Sequence, residues 1–137
     1  MTYNASKDYD FSAIRAAAKA QVNLEAEQRR LQYITGGAAQ AVVYREKVRE
    51  ARVYYGPDPD DPLDSDTYPM LKAEIGITAV DLAGVATAVL AANDTFVAKA
   101  KLIEAAVRQA YVDIDAAASK KSTIEAAGVI DWDTLLA

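Results

Sequence analysis

The sequence predicts an all-α protein: an elongated helical bundle or hairpin, with one long helix in its C-terminal half and coiled-coil-like packing. Three observations predict it. From about 79 to 119 the chain contains no Pro, and no Gly except Gly84. Along that stretch Leu82, Val89, Phe96, Ile103 and Ala110 recur every seven residues, with Ala86, Asn93, Ala100, Val107 and Ile114 at the complementary offset. An apolar seam sustained this long belongs to a helix that packs lengthwise on other helices. Finally, no stretch shows the two-residue alternation of a half-buried strand.

The elements follow in order along what reads as one helical domain, 1–137. Residues 1–10 form a polar arm. A helix over 12–34 starts at Asp10 or Ser12, both good N-caps, and stops at Gly36-Gly37. Its apolar stripe is Ile14, Ala17, Ala20, Leu24, Leu31 and Ile34, with Gln28 in the missing place and Val22 off the line. A second helix, 38–55, presents Ala41, Tyr44, Val48, Ala51 and Tyr55. Its other faces carry Arg45, Glu46, Lys47, Arg49, Glu50 and Arg52. Gly56-Pro57 ends it. The Pro- and Asp-rich segment 56–69 is a loop, and Pro69 opens a short helix over 70–75. Thr78 and Asp81 are spaced as a capping box for the long helix. Ser122 and Glu125 are spaced as another for a short helix and tail over 123–137.

Composition excludes more than it includes. The chain has 137 residues, no Cys and no His, so disulfides, thiolate chemistry and the commonest general base and metal ligand are absent. A net charge of −5 argues against nucleic acid and anionic membranes as partners. The N-terminal residues lack the apolar core of a signal peptide, and no apolar run approaches the length of a membrane span, which predicts synthesis in a cytoplasm. Asn4-Ala5-Ser6 fits a glycosylation triplet, with nothing else pointing to secretion. Hydrophobic residues make up 52% of the chain, but Ala leads them. Ala favours helix and buries little area, so oligomerisation would help stabilise such a core.

No catalytic constellation appears, and no cofactor or metal site is predicted. Asp58, Asp60, Asp61, Asp64 and Asp66 cluster in the loop. Clustered carboxylates can bind Ca²⁺, but here no Gly marks the turn, no Glu closes the loop, and prolines stiffen it. The reading is a solvated loop. The basic residues of 45–52 interleave with Glu46 and Glu50 and read as a solvated face.

Candidate interface residues lie on the seam and in the tail: Leu82, Val89, Asn93, Phe96, Ile103, Val107, Ile114 and Trp132. Asn93 has two readings: a register device pairing with its copies, or a side chain satisfied by a neighbouring helix. Leu90 and Val97 widen the apolar face beyond what a two-stranded coil needs, which favours a multi-helix bundle. Eight Tyr against two Phe tilt toward residues that bury a ring and keep a polar tip. Tyr54, Tyr55 and Tyr68 either pin the loop or meet a partner. Trp132, Leu135 and Leu136 either fold back onto the bundle or dock on a neighbour.

Two segments carry a family resemblance. The first is Thr35-Gly36-Gly37, then Gln40-Ala41, Tyr44 and the charged stretch from Arg45 to Arg52. The second is Tyr68-Pro69-Met70-Leu71, then Glu74, Gly76-Ile77-Thr78 and an Ala-rich helix. With the Pro/Asp loop between them, these resemble small bacteriophage tail proteins and the C-terminal region of tail-fibre-associated and fibre-assembly proteins, over residues 12–120. The resemblance implies a non-enzymatic virion protein of the tail or tail-fibre region, made in the host cytoplasm. It would be a homo-oligomer, with a trimer as one stoichiometry, and would contact other tail proteins. The alternative is a fibre-assembly chaperone that leaves the particle. The resemblance carries no catalytic residue across.

Overall fold

The computed structural model describes residues 10–34, 36–56 and 68–137, the side chain of Ala38 excepted. The acidic loop carboxylates, the glycosylation triplet and nearly all of the N-terminal arm therefore lie outside the described residues. The chain is all-α: α1 (Phe11–Arg30), α2 (Ala38–Tyr55), α3 (Pro69–Lys72), α4 (Leu82–Ala116), α5 (Lys121–Ala127) and α6 (Trp132–Leu135). No strand occurs among the described residues, only one isolated bridge between Ile75 and Ala79.

Local chemistry sets the helix ends. Asp10 caps α1, its carboxylate accepting from the Ala13 amide at 3.1 Å. Arg29 and Arg30 lie in the last turn, where the helix dipole favours positive charge. The helix ends at Arg30, short of the Gly pair, because the chain turns from Leu31 onward. At α4 the cap is Asp81, whose carboxylate accepts from the Gly84 amide at 2.7 Å. Thr78 is not part of that cap; its hydroxyl donates to Glu74 at 2.6 Å. The Ser122 capping box does not form either. Lys120 occupies the N-cap position of α5 and Ser122 lies inside the helix.

Gly84 is the one glycine inside α4, and close approach explains it. A Cβ there would meet the Ala79 Cβ at 2.8 Å and the Asp81 carboxylate at 3.0 Å. The turn before α4 folds back onto its first coil, and only hydrogen fits.

The chain divides into two compact units, one formed by α1 with Lys99–Ala137, the other by the described part of Tyr33–Ala98. The first unit's core is Val22, Ala26, Ile103, Val107, Ala110, Ile114, Ile124 and Trp132. The second's is Val48, Ala51, Val53, Tyr68, Leu71, Val85, Ala86 and Val89. Each is a small hydrophobic nucleus, in which one fully buried aliphatic side chain contributes about 1.5–3 kcal/mol. The long helix supplies residues to both.

Two expected stripes need correction. On α1 the buried residues are Val22 and Ala26, with Phe11, Ile14 and Ala18 packed beside them. Ala17, Ala20, Leu24 and Leu31 face solvent instead. On α2 Val48 and Ala51 are buried as expected, but Ala41 and Tyr55 are exposed, and Glu50 is buried with Val53.

Candidate interaction surfaces

The seam of α4 is covered by its own chain. Of its ten heptad positions, Ala86, Val89, Asn93, Ile103, Val107, Ala110 and Ile114 are buried, and Leu82, Phe96 and Ala100 are half-buried. Val89 and Leu82 pack with α2 and α3 residues, while Ile103, Val107 and Ile114 pack with Val22, Ala26 and Trp132. Most of these side chains are therefore spent on the chain's own cores. Leu90 joins the second core from its edge, whereas Val97 is exposed.

Asn93 is satisfied by a neighbouring helix. The Tyr44 hydroxyl donates to its side-chain oxygen at 3.0 Å. The Tyr44 ring meets Phe96 edge-on, with centroids 5.9 Å apart. Burial holds the Tyr44 hydroxyl above its usual pKa, opposed by Arg52 and aided by Asp94. This polar contact ties α2 to α4.

Trp132 folds back into the first core, and its tail with it. Leu135 and Leu136 pack against that core, and Lys99 donates to the Leu136 carbonyl at 2.9 Å. The indole N–H of Trp132 is buried without a hydrogen-bond partner among the described residues.

Glu50 is the feature that sequence reasoning missed. Its carboxylate is fully buried and accepts from the Met70 amide at 3.0 Å and the Leu71 amide at 3.3 Å. Burial raises its pKa; the two amides and Arg49 pull it back, and Glu46 pushes it further up. A signal for it exists. A helix opening Tyr68-Pro69-Met70-Leu71 has no capping side chain of its own, so its free amides need an acceptor from elsewhere. Tyr68 and Tyr54 finish the seat, ring centroids 5.6 Å apart and edge-on. Tyr54 and Tyr68 thus join the end of α2 to the start of α3.

Glu74 anchors the turn before α4. Lys47 pairs with it at 2.6 Å, and its pKa is lowered chiefly by that contact and then by the Thr78 hydroxyl. The Gly76 amide, at φ 86°, donates to the Ala79 carbonyl at 2.6 Å, and the Ile77 and Thr78 amides both donate to the Glu74 carbonyl at 3.0 Å. This fastened turn holds Ile77 82% exposed and Val80 90% exposed. Together they make a small exposed apolar surface.

The outer face of α1 is a second such surface. Ala13, Ala17 and Ala20 are exposed along its N-terminal half, Leu24 (55%) continues the line, and Leu31 (46%) is exposed just past the helix end. Beside Ala13 and Ala17 opens a groove of about 580 Å³ against α5, walled by Gln21, Glu25, Lys121, Glu125 and Val129. Its lining is mostly apolar, and Val129 is 77% exposed on its rim.

Among the described residues no three His, Cys, Asp or Glu side chains converge as metal ligands. No described helix is long and apolar enough to cross a membrane. Comparison with protein-family models, with curated proteins and with solved structures found no match to this chain.

Proposed function

We propose that this chain is a non-enzymatic structural component of a bacteriophage virion, in the tail or tail-fibre region, working by helix-mediated assembly with itself and with other tail proteins. The observation that carries the assembly reading is the fastened turn that presents Ile77 and Val80 to solvent. A monomer gains nothing from holding two β-branched side chains in water, whereas a partner with a complementary pocket would bury both. The interior polar groups fit the same reading. Glu50 caps α3 and Asn93 bonds to Tyr44, so both groups serve to hold helices together.

The virion setting rests on the resemblance carried by Gly36-Gly37, Tyr68-Pro69-Met70-Leu71 and Gly76-Ile77-Thr78. Those motifs fall at joints between helices. Gly37 precedes α2, Pro69 opens α3, and Gly76 shapes the exposed turn. Nucleic acid and membrane are not proposed as partners, in keeping with the net charge of −5.

Mass spectrometry of purified particles tests this. The chain present in stoichiometric amount supports the structural role. Its absence from particles, together with misfolded fibre when it is omitted from co-expression, selects the assembly chaperone. Absence from particles with no effect on fibre folding removes both.

A further inference from the structure

We propose that residues 68–75 form a strained strap that swings off α2 as one body, while α2 and α4 stay folded. This goes beyond the assembly reading and does not depend on it.

Two residues bound the strap. Tyr68 has φ 21° and ψ 54°, and Gly76 has φ 86°. Tyr68 is the one residue other than glycine with a positive φ among the described residues. An aromatic side chain is strained in that region, which suits glycine. The ring holds it there: Tyr68 is buried and meets Tyr54 edge-on. Backbone strain of this kind persists only while its surroundings enforce it, and it is released when the ring leaves its seat.

Between these ends, two polar clasps come from α2. Glu50 accepts from the Met70 amide through both carboxylate oxygens, at 3.0 and 3.2 Å, and from the Leu71 amide at 3.3 Å. Three residues earlier on the same helix, Lys47 pairs with Glu74. Past Tyr68 only Leu71 of the strap is buried; Lys72, Ala73 and Ile75 are exposed. One aromatic, one aliphatic and two clasps are few attachments beside those of α2 and α4, so the strap belongs to the low end of local stability.

The Glu50 clasp carries its own load. A fully buried carboxylate has lost its water, and two amides return only part of that hydration. Glu46 and Arg49 of α2 are the charged groups that bear on it, one repelling and one attracting. The strap presents amides to it, and α4 meets this core with Leu82, Val85, Ala86 and Val89, none of them titratable. Burial dominates, so the shut strap favours protonated Glu50 and the open strap favours the ion. Opening therefore becomes easier as pH rises from about 4.5 through the raised value. The Lys47–Glu74 clasp has the opposite sense and fails only as pH falls below about 4.5. The strap is tightest in mildly acidic solution, where Glu50 is still protonated and Glu74 already ionised.

Lys72 is the one basic residue between Arg52 and Lys99, so trypsin reads the strap alone across that stretch. Limited digestion of the full chain at neutral pH should cut after Lys72 before any site in α2 or α4. Lys47→Met should speed that cut about two- to fivefold. Glu50→Gln, which keeps an acceptor and removes the charge, should slow it. Hydrogen exchange on the wild type tests the same opening without a variant. The amides of Met70, Leu71, Lys72 and Ala73 should share one opening, with at least about tenfold less protection than those of Val48 and Ala51. Corrected for the intrinsic rate of free amides, that opening should grow by up to about tenfold per pH unit above pH ~4.5 and then level off. Exchange of the four amides only with global unfolding, four unrelated equilibria, or an opening indifferent to pH would overturn the strap. So would a Glu50→Gln chain that is cut faster than the wild type.

Discussion

Glu50 and Glu74 titrate in opposite senses, and the signs follow from their surroundings. Burial raises the folded pKa of Glu50, so its contribution is greatest below its unfolded value near 4.5 and is lost as pH rises through the folded value. Lys47 lowers the folded pKa of Glu74, so its contribution is present above about 4.5 and is lost as pH falls through the folded value. Urea melts of Glu50→Gln should thus gain on the wild type as pH rises from 4.5 toward neutrality. Melts of Glu74→Gln should lose about 1 kcal/mol at neutral pH and recover below pH 4.5. Identical pH slopes for the two variants would contradict both assignments. Trp132 makes a second residue-scale case. Its ring fills the first core while its N–H goes unpartnered. Trp132→Ala should cost about 3–5 kcal/mol in thermal or urea melts, and Trp132→Phe far less, since Phe keeps much of the ring and removes the orphan donor. The fold-back of Trp132 was one of two outcomes visible in sequence. Nothing in the residue itself could choose between them, because an aromatic tail fits a core and a neighbour equally well.

At the scale of elements, the long helix and α2 were legible, because Pro, Gly and an unbroken heptad leave few alternatives. Their caps were less so. Thr78 and Ser122 have the spacing of capping residues, but Glu74 engages Thr78, and α5 starts one residue before Ser122. Gly84 shows how context inverts a propensity. Gly→Ala inside a helix is ordinarily stabilising by about 1 kcal/mol. Here the new methyl would press on Ala79 at 2.8 Å, so Gly84→Ala should instead destabilise by about 1–3 kcal/mol in a urea melt. A stabilised variant would show that the turn before α4 does not close on the helix as described. The misread face of α1 has a related cause. Ala lies on every side of that helix, so periodicity has no single phase. Leu24 and Leu31 pull the reading toward one face and Val22 toward the other. What decides is the layer of Ile103, Ile114 and Trp132 that Val22 meets.

For the whole molecule, the consequence is that the longest apolar seam serves the chain's own stability. The α4 seam looks in sequence like an interface between chains, yet the chain covers it. Ile103→Ala should therefore cost about 2–5 kcal/mol of stability and leave the sedimentation behaviour of the folded protein unchanged. If it altered association without altering the melting transition, the seam would be an interface after all.

The amino-acid order alone determined that this protein is helical, that one helix outruns the rest, and that His- and Cys-based chemistry is closed to it. Those properties follow from local propensity, breaker placement and composition, which need no partner element. Only the tertiary structure decided which faces are spent: the heptad on the chain's own cores, Glu50 on the amides of α3, and Leu24 of α1 left outside. Burial is a property of pairs of surfaces, and a helix with more than one apolar face does not say which of them its neighbours will take.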